Sequence, residues 1–196
     1  LPWYVFLSDS VDRGDSLLWN PREGAGTPFM ALWRTRVFSP FSLPFYVLPL
    51  GTAFTVSALL KLIVAGGCAF YAGRRFGLTA PLALLLAAAY QMSGHVLLRL
   101  DTPLSDVAPW LPLVLLFTEQ IAVEYWSAWP FGSLVWALML FGGEPELVAV
   151  AAGFTTVYLA WRFASERTRW GEMIGGFLAL ALSLVLGAGL AAIQIL

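Results

Sequence analysis

The stretch Leu50–Ala72, LGTAFTVSALLKLIVAGGCAFYA, decides the fold. It holds one charged residue, Lys61, and no proline. As a helix it is long enough to cross a bilayer core, which takes about 20 apolar residues. Five more apolar runs follow it, roughly Ala80–Leu98, Val107–Val123, Ser127–Phe141, Leu147–Phe163 and Met173–Leu196. The third, fourth and fifth spans are short, which a bundle tolerates where helices are broken or packed inside protein. The whole chain agrees, with 59% hydrophobic and 12% charged residues, nine Trp and fourteen Phe, and a mean hydropathy of +0.77. Soluble domains carry about 25% charged residues. The expected fold is therefore all-α and integral to the membrane, with about six transmembrane helices behind a long N-terminal loop. Residues 1–44 form the loop region and 45–196 the helical bundle.

Composition also excludes functions. Eleven Lys and Arg are scattered against twelve Asp and Glu, so no clustered cationic face exists to neutralise nucleic-acid phosphates. The single cysteine, Cys68, rules out a disulfide framework or a thiolate metal site. Walker, GxSxG, HExxH and CxxC motifs are absent from the sequence. The chain begins at Leu1 without Met and stops at Leu196 inside an apolar run, so it reads as a piece of a longer protein, truncated at both ends.

Connectors set the expected orientation. Arg74 and Arg75 lie between spans one and two, and Arg162, Arg167 and Arg169 between spans five and six. By the positive-inside rule both loops are cytoplasmic. Residues 1–44, Arg99–Asp106 and Gly142–Glu146 then meet on the extracytoplasmic face of the cytoplasmic (inner) membrane. Arg13, Arg22, Arg34 and Arg36 also fall outside, as long arms translocate largely regardless of charge.

The outer segments carry the chemistry. Trp19-Asn20-Pro21 and Gly24-x-Gly26-Thr27-Pro28-Phe29 place two turn motifs close together, since Pro fixes φ and Gly permits conformations other residues avoid. Trp19 and Asn20 are candidate substrate contacts there, against the plainer reading of an interfacial aromatic belt. Ser93-Gly94-His95 breaks span two near its outer end, followed by Arg99, Asp101 and Asp106. His95, the only histidine, could act as acid or base or donate to a phosphate, or be a structural helix-end residue. Asp106 is well placed to cap the helix entering through Pro109–Pro112, whereas Asp101 has no such local role. Gly142-Gly143-Glu144-Pro145-Glu146 is a helix–helix turn, and its Glu144 and Glu146 are the candidate cation ligands. Lys61 costs on the order of 3 kcal/mol in mid-span even on lenient scales. It should face the bundle interior with Ser57, Ala65 and Cys68, either in an ion pair or holding an anionic lipid headgroup.

The order of motifs resembles the YfhO family of bacterial multi-pass membrane proteins, which belongs with the GT-C type glycosyltransferases. The resemblance runs through GDSLLWNP (14–21), GTPF (26–29), FYVLP (45–49), LKLIVAGGCAFY (60–71), Ser93-Gly94, Trp110–Leu113, Gly142–Glu146 and Ala192-Ile193-Gln194. It implies a GT-C-like bundle that takes a sugar from a polyprenyl-phosphate carrier and passes it to an acceptor on the outer face. Such enzymes place an acid in the first outer loop as the base for the acceptor. That loop begins before the segment matched here, so Asp9 and Asp12 stand in as the acids to test. At the hairpin the family more usually shows Gly-His-Pro-Gln, where this chain has Gly143-Glu144-Pro145-Glu146.

The leading expectation is a membrane glycosyltransferase. Asp9, Asp12, Asp101 and His95 are its acid–base candidates, Arg99 and Lys61 contact carrier phosphate, and Glu144 and Glu146 would hold a divalent cation such as Mg or Mn. Its partners are a lipid-linked sugar and membrane lipids. The alternatives are a non-catalytic membrane subunit docking a partner protein and, ranked last, a lipid or solute transporter, for which Lys61 and the broken span two would form the path.

Overall fold

A computed structural model of the chain describes residues 2–102, 104–124, 128–166 and 169–195. Every regular element among these residues is helical, apart from one isolated β-bridge. In chain order they are α1 (Pro2–Arg13), α2 (Pro44–Val47), α3 (Leu50–Arg75), α4 (Ala80–Gln91), α5 (Gly94–Leu97), α6 (Leu104–Val107), α7 (Leu111–Glu124), α8 (Trp129–Phe141), α9 (Pro145–Glu166), α10 (Trp170–Leu190) and α11 (Ala192–Ile195), with short 3-10 turns at Trp33–Thr35, Pro40–Ser42 and Ala108–Trp110. Four stretches are long and apolar enough to cross a membrane: Leu50–Arg75, Ser105–Val123, Pro145–Glu166 and Trp170–Leu190. Ala80–Gln91 and Trp129–Phe141 are apolar but shorter. The expected span ends Ser127 and Leu196, and Arg167, lie outside the described residues.

Helix boundaries follow local chemistry. α3 starts after Pro49 and closes with Arg74 and Arg75 in its last turn, where cations meet the negative end of the helix dipole. α4 begins with Pro81 in its first turn and stops at Gln91, and Ser93 starts the separate turn α5, so span two is broken where Ser93-Gly94 predicts. Within the 1–44 segment expected as loop, Pro2–Arg13 is a helix. Its Tyr4, Leu7 and Val11 recur at helical spacing and pack into the N-terminal cluster with Phe6, the 3.6-residue pattern that a short apolar window conceals.

Two apolar clusters result. In the bundle, Phe117, Ile121, Trp136, Met139, Leu159, Phe163 and Leu180 tie α7, α8, α9 and α10 together. The second cluster joins Tyr4, Phe6 and Leu7 of α1 to Phe29, Val37, Phe45 and Ala53. Tyr4 stacks on Phe45 with centroids 4.0 Å apart, and Phe54 meets both rings edge-on. Ala53 and Phe54 belong to the first turns of α3, so the start of this helix is part of the second cluster.

The 26 residues of α3 measure about 39 Å at 1.5 Å per residue, longer than a bilayer core. The excess lies at its start. Lys61 sits at the level of Leu100 and Asp106, and Gly66 packs against Gln91, the last residue of α4. Residues 50–60 therefore rise past the ends of the neighbouring helices, alongside the N-terminal cluster. Lys61, which counting along the span puts near its middle, lies where α4 ends and α6 begins.

Candidate functional site

At this end of the bundle three segments converge on Asp106, which is fully buried. Its Oδ1 lies 2.7 Å from Lys61 Nζ and 3.0 Å from Arg36 Nη1, and Ser39 Oγ donates to its Oδ2 at 2.7 Å. Lys61 also donates to the Leu100 carbonyl at 2.8 Å and to Ser105 Oγ at 2.9 Å. The ammonium's three N–H thus have three protein acceptors. Arg36 donates to the carbonyls of Thr102 and, at 3.5 Å, Asp101, and its guanidinium lies 4.8 Å above the Tyr4 ring. Two buried cations and one carboxylate give the cluster a net positive charge, spread over main-chain carbonyls and an aromatic face.

The loop is shaped to deliver Arg36. The residue adopts a left-handed conformation, φ 54°, and Ser42 Oγ donates to its carbonyl at 2.7 Å. Gly143 of the α8–α9 turn, φ 79°, lies so close that a Cβ there would overlap the Trp33 carbonyl and come within 2.7 Å of Arg36 Cγ. The hairpin glycine therefore lets the turn seat on the Arg36 loop. Burial raises the pKa of the Tyr4 phenol, so the ring under Arg36 stays neutral.

The sequence candidates distribute around this cluster. Lys61 is one of its two buried cations, and Ser57, Ala65 and Cys68 share its buried face as expected. Asp101 contributes its carbonyl to the cluster, and its side chain is exposed, as are His95 and Arg99. Asp106 does not act as the local cap its position suggests, because its oxygens go to Arg36, Lys61 and Ser39. Glu144 is half-buried and Glu146 exposed in the first turn of α9. Among the described residues no group of three or more His, Cys, Asp or Glu could hold a metal, so a cation at this pair would need ligands from outside it.

Asp9, Trp19 and Asn20 belong to a different feature. Asn20 and Thr27 exchange backbone hydrogen bonds of 2.8 and 3.0 Å, closing a small hairpin over Leu18–Phe29. Asn20 is buried, and its Oδ1 accepts from the Arg22 amide, so it shapes the turn. Asp9 pairs with Arg22 at 2.9 Å and Arg13 at 3.5 Å. The Arg22 hydrogen bond, more than the charge of Arg13, holds its carboxyl below the usual carboxylate range. Asp9 and Trp19 line one cleft of about 300 Å³, while Asp12 is exposed on α1.

A larger cleft of about 470 Å³ lies between α3, α4, α7 and α9, bounded by Ala72, Gly73, Leu86, Tyr90, Leu111 and Ala151 among others. Its wall is apolar. Tyr90 donates to the Ala108 carbonyl at 2.6 Å, linking the end of α4 to the entry of α7.

Arg36 and Ser39 escape sequence reasoning, as does the pairing role of Asp106. The available signal was Lys61, because a lysine buried in an apolar span demands a carboxylate. Glu119 is missed too. It accepts bidentately from Arg162 at 3.0–3.2 Å and from Tyr158 at 2.9 Å, joining α7 to α9, and Arg162 pairs further with Glu166.

Neither the curated proteins nor the solved structures give a match to the chain. The model of the bacterial membrane protein YfhO family matches residues 1–196. With its helices apolar and long enough to cross a membrane and the match running end to end, the chain belongs to the YfhO family of bacterial membrane proteins.

Proposed function

We propose that this chain forms part of a GT-C type glycosyltransferase that takes sugar from a polyprenyl-phosphate carrier on the extracytoplasmic face of the cytoplasmic membrane. One observation carries the reading beyond the family resemblance. The apolar cleft between α3, α4, α7 and α9 has its Tyr90 and Leu111 end where α4 gives way to the segment bearing His95, Arg99 and Asp101. An isoprenoid chain suits the apolar wall, and a phosphate suits exposed donors at its mouth.

In the transfer, an acceptor oxygen attacks the anomeric carbon and the bond from that carbon to the phosphate oxygen breaks. The electron pair leaves with polyprenyl phosphate, and the acceptor proton passes to a carboxylate, with Asp9, Asp12 and Asp101 as the candidates. Arg99 and His95 are the candidates to hold the leaving phosphate. Lys61 serves to hold Asp106, its donors being filled. Glu144 and Glu146 would hold a divalent cation only together with oxygens of the substrate phosphate.

The test uses the full-length protein in vesicles supplied with polyprenyl-phosphate sugars. Substitution of the true base, among Asp9→Asn, Asp12→Asn and Asp101→Asn, should lower transfer by about 10²–10⁴. Activity surviving all three removes these acids from the mechanism, and no transfer from any donor ends the enzyme reading.

A further inference from the structure

We infer that the cleft beside the N-terminal hairpin binds a single neutral sugar ring. Its volume of about 300 Å³ is at the small end for ligand sites, suited to one ring rather than an extended molecule. Phe6, Asp9, Ser10, Asp15, Trp19 and Arg22 contribute to its wall.

Trp19 is the first reason. It remains 53% exposed although α1 and its neighbours bury Tyr4, Phe6 and Phe29 a few residues away. Nor is it loose. The Asn20–Thr27 bridge fixes its backbone, and its indole lies against Gly26, φ 96°, where a Cβ would come within 2.5 Å of Nε1. A rigid aromatic surface held in water at a cleft offers contact area at little entropic cost on binding.

The polar groups supply the second reason. Asp9 and Arg22 are joined at 2.9 Å, Arg13 pairs with Asp9 as well, and Asp15 adds a second carboxylate to the wall. The wall carries two acids and one arginine, and Arg13 pairs with Asp9 from outside it, so the local charges balance and favour no ion by net charge. An anion would face both carboxylates, and a metal would find no third acidic or histidine ligand among the described residues. A wholly apolar ligand would strip water from Asp9 and Arg22 without replacing its hydrogen bonds. A pyranose satisfies all of these, because its C–H face lies on the indole while its hydroxyls donate to carboxylate and accept from guanidinium. Held here it would be the acceptor in the transfer proposed above, a role that rests on the transferase reading, whereas the binding does not.

Saturation-transfer NMR on the full-length protein in nanodiscs, with methyl β-D-glucopyranoside and methyl β-D-galactopyranoside and no lipid-linked donor, tests this. Saturation should reach the C–H protons of one ring face. Trp19→Ala should weaken binding at least tenfold, Trp19→Phe should retain most of it, and Asp15→Asn, which alters a wall carboxylate on an exposed residue, should weaken it several-fold. Equal transfer in the parent and Trp19→Ala, no transfer in the parent, or preference for glucose 1-phosphate over the glycosides overturns the inference. Glycoside binding in a protein that transfers no sugar ends the enzyme reading alone, while sugar transfer without glycoside binding ends this one alone.

Discussion

Asp106 compensates two buried cations with one carboxylate, and that imbalance sets what each substitution does. Asp106→Ala leaves Arg36 and Lys61 facing each other without an anion, and losing the partner of a buried charge costs about 3–5 kcal/mol. Lys61→Met removes one cation and leaves Asp106 paired with Arg36 and Ser39, so its cost should be clearly smaller. Thermal unfolding in detergent should rank the parent above Lys61→Met and Lys61→Met above Asp106→Ala. The reverse order would mean that Lys61, not Asp106, organises the cluster. At this scale the sequence was half legible. It placed Lys61 inside the bundle, in an ion pair or on an anionic lipid headgroup, since an unpaired ammonium in an apolar span is costly. It could not name the partner, because Asp106 has a sufficient local role as a helix cap and nothing local marks Arg36 as different from Arg34.

Among the elements, the α8–α9 turn shows how a local motif acquires a tertiary purpose. Gly142 and Gly143 end α8, and Pro145 opens α9, as the sequence alone indicates. Only the packed structure shows that the space above Gly143 is occupied by the Trp33 carbonyl and Arg36. Gly143→Ala should therefore cost more than a positive φ alone, on the order of 1–3 kcal/mol, and unseat the Arg36 loop. Limited proteolysis near Arg34 or Arg36 should speed up in this variant. Unchanged cleavage with lowered stability would confine the effect to the turn. Helix α1 is the opposite case. Its apolar face was present in Tyr4, Leu7 and Val11, yet the polar residues among and after them made the whole segment read as loop, since twelve residues give few periods to judge.

For the whole molecule, the architecture places residues 2–48 and the α8–α9 turn at one end of the bundle and the α3–α4 connector at the other. In a background lacking Cys68, Ser16→Cys should react with a membrane-impermeant maleimide in intact cells, and Arg75→Cys only after permeabilisation. Labelling of both from one side would overturn the extracytoplasmic assignment of the N-terminal segment. Sequence by itself determined that the chain is a helical membrane protein, where its long spans run, and that span two breaks at Ser93-Gly94, because hydropathy, proline and glycine act over a few residues and need no partner. Tertiary structure alone decided that α3 outruns the bundle, that Arg36, Lys61 and Asp106 share one buried site, and that Asp9 and Trp19 line a cleft apart from it. Those outcomes depend on which distant segments pack together, and the energy of a buried charge is fixed by neighbours far away in the chain, as Arg36 and Lys61 are from Asp106.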